Sequence, residues 1–124
     1  VFANDFDKSA VEIYDANTGF FEHSALCSDV KSVSPEQIPD FDILLAGFPC
    51  QPFSNAGNRR GIRDKDGRGT LFEECVKFIR YKTKAGSPPS MFVFENVRGI
   101  LSSKMPDGTT VPDEITKRMS ELGY

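Results

Sequence analysis

The run Phe41-Asp-Ile-Leu-Leu-Ala-Gly-Phe48 (FDILLAGF) leads without a break into Pro49-Cys50-Gln51-Pro52-Phe53-Ser54 (PCQPFS), and its reading decides the fold. Its apolar residues are continuous rather than alternating, the pattern of a strand buried on both faces of a parallel sheet. That strand delivers the chain directly to a cysteine set between two prolines. Proline fixes its own backbone and restricts the residue before it, so both the approach to Cys50 and the departure from it are stiffened. The pattern describes a thiol held still at the end of a buried strand.

Working outward, strands and helices alternate. "VFAND" reads as the end of a strand, and Asp7 caps a helix running to Asn17, with Ala10, Ile13, Tyr14 and Asn17 on one face and Gly19 as its stop. "EHSALCSD" is a short strand, and Ser34-Pro35-Glu36-Gln37 is one capped helical turn with proline at its first position. Beyond a Gly- and Arg-rich stretch, Thr70 and Glu73 form a capping box. The helix they open has Phe72, Cys75, Val76 and Ile79 at one-face spacing, which makes Cys75 a packing residue. "SMFVFEN" is a second buried strand, ending on Glu95; "MPDGTT" is a turn; "PDEITKRMSELGY" is a last helix with Ile115, Met119 and Leu122 inward. The order is that of an α/β fold, in which ligands sit beyond the carboxyl ends of the strands.

Composition narrows the class. With 124 residues, 39% hydrophobic and 27% charged, the chain has the make-up of one soluble globular domain. No apolar run is long enough to span a bilayer and no leader opens the chain, so a cytoplasmic location is expected, nucleoid-associated in a bacterium. The three cysteines at 27, 50 and 75 form no Cys-x-x-Cys pair, which excludes a disulfide framework and a zinc knuckle; no metal site is expected. Residues 1–49 hold nine acids and two bases, a charge of −7; residues 50–124 hold nine acids and thirteen bases, a charge of +4. That asymmetry points to an anionic partner on one side. The bases are densest just after Cys50, in "NAGNRRGIRDKDGRG", although a cluster of charge is often only a solvated loop.

Four residues of chemical interest fall at strand ends: Asp5, Asp29, Cys50 and Glu95. A lone acid after a strand is commonly a cap or turn former, yet an adenosine-type ligand would give both aspartates work. A carboxylate at the end of the second strand of a dinucleotide-type fold accepts ribose hydroxyls; Asp5 has that placement, with Phe6 beside it as a stacking surface. Cys50 and Glu95 form a candidate reacting centre, because a thiolate adds to electron-poor carbon and a carboxylic acid at the mouth of a buried strand can donate a proton. A thiol protease would need a histidine, and the only one, His23, does not stand at a strand's carboxyl end.

"GFPCQPFS", "GRGTLF" and "FENVRG", in that order, resemble the Pro-Cys, Arg-Gly-x-Leu-Phe and Glu-Asn-Val motifs of the cytosine carbon-5 DNA methyltransferase family. "NDFDKSAVEIYDANTG" is similar to the family's second-strand region and "PDFDILLAGF" to the strand carrying the nucleophile, so the likeness runs along the whole chain. It implies a partial Rossmann-like methyltransferase fold using S-adenosylmethionine, with a cofactor side in residues 1–49 and the nucleophile, a mobile loop and the Glu-Asn-Val region in 50–124. Cys50 would attack carbon 6 of a cytosine flipped out of double-stranded DNA, and Glu95 would hold and protonate the neighbouring ring nitrogen. Asp5 would bind the ribose hydroxyls, Phe6 the adenine and Asp29 its exocyclic amine, with Val30 beside it. Pro49 and Leu71 would line the sulfonium end. Asn96 and Val97 would shape the cytosine pocket, Asn96 by bracing the Pro-Cys loop. Gln51 begins a loop that would close over DNA, with Ser54 and Arg68 meeting phosphate and glycines supplying backbone freedom.

The chain also departs from the family. The 124 residues contain no Phe-x-Gly-x-Gly loop, which in the family would precede Val1, and no Gln-x-Arg segment, target-recognition domain or closing Asn-Val motif, which would follow Tyr124. The expectation is an internal piece of a longer enzyme, lacking the first strand, marginally folded and inactive without flanking regions or a complementing subunit. Two other readings use the same residues. A transfer-RNA methylating branch shares the motifs but usually reads Pro-Pro-Cys, whereas Phe48 precedes Pro49 here. A non-catalytic or split-subunit module would bind the cofactor without forming an adduct.

Overall fold

A computed structural model describes residues 1–19, 23–49, 71–105 and 107–124. The chain forms two compact units, Val1–Phe41 and Asp42–Tyr124. Both are α/β, and among the described residues the strands form two separate two-stranded sheets, each parallel.

In the first unit β1 (Asn4–Asp5) pairs with β2 (Leu26–Cys27), and α1 (Lys8–Asn17) lies between them in sequence. The helix starts where expected, because the Asp7 carboxylate accepts from the Ser9 and Ala10 amides at 2.8 and 3.4 Å. The expected face does not hold. Val11 is the buried residue of α1, while Ile13 is 65% exposed and Tyr14 is also exposed. Two strands of two residues offer too little apolar surface to cover a second row of side chains. The turn Pro35–Gln37 forms as read, with the Ser34 N–H donating to Gln37 Oε1 at 2.8 Å.

The second unit is built on β3 (Ile43–Gly47) and β4 (Met91–Glu95), paired in parallel from Ile43↔Met91 to Gly47↔Glu95. Between them runs α2 (Leu71–Lys84), and after β4 come a 3-10 segment (Arg98–Ser102) and α3 (Val111–Ser120). The face predicted for α2 is observed: Phe72, Cys75, Val76 and Ile79 are all buried. Thr70 lies outside the described residues; the Glu73 carboxylate accepts from Arg118 Nη2 of α3 at 2.6 Å. Gly86, at φ +87°, closes α2: its N–H reaches Thr83 O at 3.2 Å and that of Ser87 reaches Lys82 O at 3.0 Å. This left-handed closure satisfies carbonyls that the helix end would leave unpaired. The turn before α3 is also as read, with Gly108 at φ +91°.

The core of this unit joins Phe72, Val76 and Ile79 of α2, Val111 and Met119 of α3, Ile100, and Phe48 just past β3; Leu44, Phe92, Phe94, Ile115 and Leu122 pack against it. Burial on both faces, expected for β3, is not observed. Leu44, Phe92 and Phe94 pack against the core that the helices build, whereas Ile43, Leu45, Met91 and Val93 are exposed, Leu45 by 72%. Among the described residues of the unit, helices cover one side of the ribbon.

Burial pushes the Cys75 thiol from its ordinary 9.0 up to about 11, with a smaller contribution from the Glu74 charge. Between those values the unfolded chain releases the proton and the folded chain keeps it. The stability linked to Cys75 is therefore intact below pH 9.0 and falls above it toward pH 11, by up to about 1.4 kcal/mol per pH unit. Urea denaturation at pH 8 and pH 10.5 should show a drop in midpoint that shrinks in Cys75→Ala; an equal drop in both proteins would refute this account.

Candidate functional site

Each unit carries part of the expected site at the carboxyl ends of its parallel strands. In the first, Asp5 ends β1 and Asp29 follows β2 by two residues. One oxygen of each carboxylate is engaged locally. Asp5 Oδ1 accepts from the Asp7 N–H at 2.9 Å, and Asp29 Oδ1 accepts from the Lys31 N–H at 2.9 Å, capping the turn Val30–Ser32. Asp29 is thus a cap, as its position after a strand allows. An Asx-type bond through one oxygen fixes the carboxylate's orientation while its second oxygen remains available. Phe6 is 78% exposed next to Asp5, a large apolar ring with no core to fill. Val30 is half-buried in the capped turn.

In the second unit the ladder sets Glu95 directly opposite Gly47. A Cβ placed on Gly47 would stand 3.4 Å from Glu95 Oε2, so the glycine leaves space alongside that carboxylate. The next residue, Phe48, is fixed twice. Its ring is buried against Phe72 and Phe94, with centroids at 5.8 and 5.7 Å, and those two rings stand 5.7 Å apart, edge to face. Its carbonyl accepts from Asn96 Nδ2 at 2.6 Å. Asn96 uses the other end of its amide as well, Oδ1 accepting from the Val97 N–H at 3.0 Å, which fixes the amide's orientation. The β3 and β4 ends are therefore tied by a side chain beyond the last ladder pair.

Pro49 and Val97 are exposed, and Leu71, the first residue of α2, is half-buried against the core. Cys50, Gln51, Ser54 and Arg68 lie outside the described residues, as does the basic stretch between them. Cys27 is exposed and Cys75 buried, and the thiol of Cys75 is held protonated by that burial, so it is no nucleophile at neutral pH. Among the described residues no group of His, Cys, Asp and Glu is placed to hold a metal ion. No helix among them is long and apolar enough to cross a membrane.

Sequence reasoning missed two residues. The sequence marks Phe48 as the end of the apolar run and as the residue that sets Phe-Pro-Cys apart from Pro-Pro-Cys, but not as an anchor, although a bulky ring between Gly47 and Pro49 is itself a sign of one. Asn4 is the other; an asparagine inside a strand, where its type is disfavoured, is the available signal.

Residues 1–124 match the model of the C-5 cytosine-specific DNA methylases. Over those 124 residues the chain is 43% identical to the type II methyltransferase M.NlaX of Neisseria lactamica, covering 36% of that protein. It is 37% identical to M.HhaI of Haemophilus parahaemolyticus, covering 34%, and 36% identical to M.BsuFI of Bacillus subtilis, covering 27%. The chain spans about a third of the length of the curated relatives it matches.

Truncation of a buried aromatic ring costs about 3–5 kcal/mol. Phe48→Ala should lower unfolding stability by that order in urea titration, and Asn96→Ala by about 1 kcal/mol. A Phe48→Ala protein as stable as the parent would mean that the ring does not anchor the end of β3.

Proposed function

The chain belongs to the C-5 cytosine-specific DNA methylase family, and on that premise we propose that the protein carrying it methylates carbon 5 of cytosine in DNA. The observation that carries the reading is the Gly47↔Glu95 pairing. It puts a carboxylate level with the residue three positions before Cys50, on neighbouring strands of one sheet.

Cys50 is the nucleophile. Its thiolate forms a bond to carbon 6 of a cytosine turned out of the duplex, where the face of the ring is accessible. Glu95 gives a proton to ring nitrogen 3 as that bond forms, so the ring does not accumulate negative charge. Carbon 5 becomes nucleophilic as an enamine. After methylation the carbon-5 proton passes to solvent water, its bonding electrons restore the carbon 5–carbon 6 double bond as the sulfur–carbon bond breaks, the proton on nitrogen 3 returns to Glu95, and Cys50 leaves as the thiolate. The anchored Phe48 and the Asn96 bond support this assignment, because they hold the backbone that leads into the nucleophile. Val97, which follows Asn96, is assigned to the side of the cytosine.

The first unit fits an adenosine group. Asp5 offers a carboxylate oxygen to the ribose hydroxyls, exposed Phe6 offers a ring face to adenine, and Asp29 offers an acceptor to the exocyclic amine, with Val30 against the base. S-adenosylmethionine, when bound, supplies an electrophilic methyl group at its sulfonium for carbon 5. Pro49 and Leu71 are assigned to that end of the ligand. Gln51, Ser54 and Arg68 are assigned to the DNA side, where the cationic stretch after Cys50 meets phosphates.

Incubation with DNA bearing 5-fluorocytosine at the target should trap a covalent complex, because fluorine cannot leave carbon 5 as the proton does. Cys50→Ala should abolish the adduct, and Glu95→Gln should slow its formation by about 10²-fold or more. An adduct that persists in Cys50→Ala would remove Cys50 as the nucleophile. For DNA binding, Arg68→Ala should weaken affinity on all sequences alike and reduce the slope of log K against log salt by about one. An unchanged slope would place Arg68 away from the backbone.

A further inference from the structure

Asp5 and Asp29 stand on strands of only two residues each, which by themselves are a weak frame for two binding groups. Flanking backbone bonds contribute, from Leu26 N–H to Ala3 O at 2.8 Å and from Ser28 N–H to Asp5 O at 3.0 Å. The side chain of Asn4 adds a second connection of a different kind. Its Nδ2 lies 2.9 Å from Leu26 O and 2.8 Å from Ser28 O, so the amide's two hydrogens each meet one carbonyl of the neighbouring strand. The reverse amide orientation would set Oδ1 against two carbonyl oxygens, so the pair of acceptors fixes the side chain.

The second acceptor matters most. Ser28 lies beyond the last ladder pair, Asp5↔Cys27, and its carbonyl belongs to the rigid peptide plane that enters Asp29. Holding that oxygen holds the start of Asp29, while the backbone of Asn4 is bonded directly to Asp5. One amide thereby links both acids. Asparagine is a poor strand residue, whereas its short reach and paired hydrogens suit this bridge; aspartate has the reach without the donors.

We propose that Asn4 is a positioning residue for cofactor binding, its amide setting the relation between Asp5 and Asp29 across β1 and β2. The proposal rests on the reading that these two aspartates hold S-adenosylmethionine. Its test uses the full-length protein, with S-adenosylmethionine affinity by titration calorimetry, KM for the cofactor, kcat at saturating cofactor, and the unfolding midpoint. Asn4→Asp, which sets a carboxylate against two carbonyls, should raise the cofactor Kd and KM about tenfold or more at pH 8, with kcat within about threefold of the parent. Lowering the pH toward 5 protonates part of the introduced carboxyl, restores one donor and should narrow the deficit, while the deficit of Asn4→Ala should not depend on pH. Asn4→Ser, with one donor, should fall between the parent and Asn4→Ala, and it decides the matter if Asn4→Asp does not fold. Unchanged cofactor affinity in Asn4→Ala and Asn4→Ser, alongside loss in Asp5→Ala and Asp29→Ala, would overturn the role of Asn4 alone. A fall in unfolding midpoint and kcat without a selective rise in cofactor KM would also overturn it, by making the amide merely structural. Unchanged affinity in Asp5→Ala and Asp29→Ala would instead overturn the cofactor reading itself.

Discussion

The second unit depends on the fixing of Phe48. A strand that ends in Gly47 has no side chain there to hold it, and the glycine backbone is intrinsically permissive. The next residue supplies what the glycine lacks: a ring sunk between Phe72 of α2 and Phe94 of β4, and a carbonyl held by Asn96. Apolar burial and a polar bond act on the same residue from its two ends. Pro49 then extends a backbone whose position is already set.

The helices explain why this anchor sits on one side of the ribbon. Phe72, Val76 and Ile79 give α2 a continuous apolar stripe, and Leu44, Phe92 and Phe94 of β3 and β4 supply the matching surface. The Arg118 to Glu73 bond and the Tyr124 hydroxyl, which donates to Pro89 O at 2.5 Å, tie α3 and the segment after it to the rest of the unit. Odd-numbered strand residues take no part in that core.

Much of this was legible in the sequence, for a physical reason in each case. The faces of α2 and α3 follow from a 3.6-residue period that polar residues interrupt, and the Asp7 cap and the Gly108 turn follow from local chemistry. The positions of three acids were legible from the apolar runs before them: Asp5 and Glu95 end β1 and β4, and Asp29 follows β2 by two residues. The one-sided burial of β3 was not legible, because Ile43 and Leu45 are as apolar as Leu44, and a period of two disappears when both sets of positions are greasy. The exposure of Ile13 was hidden similarly: spacing says which residues share a helix face, not whether anything lies against it. Asn4 escaped because its partners, Leu26 O and Ser28 O, are backbone atoms more than twenty residues away, which no side-chain pattern records.

The ladder from Ile43↔Met91 to Gly47↔Glu95 runs for five pairs without a bulge, and it therefore works as a gauge of length. Removing one residue from the interior of β4 would rotate the following side chains to the opposite face, carrying Phe94 away from Phe48 and Phe72 while shifting Glu95 off the level of Gly47. The aromatic anchor and the carboxylate thus share a single alignment. Chain length in β4 is consequently as much a part of the site as the residues that compose it.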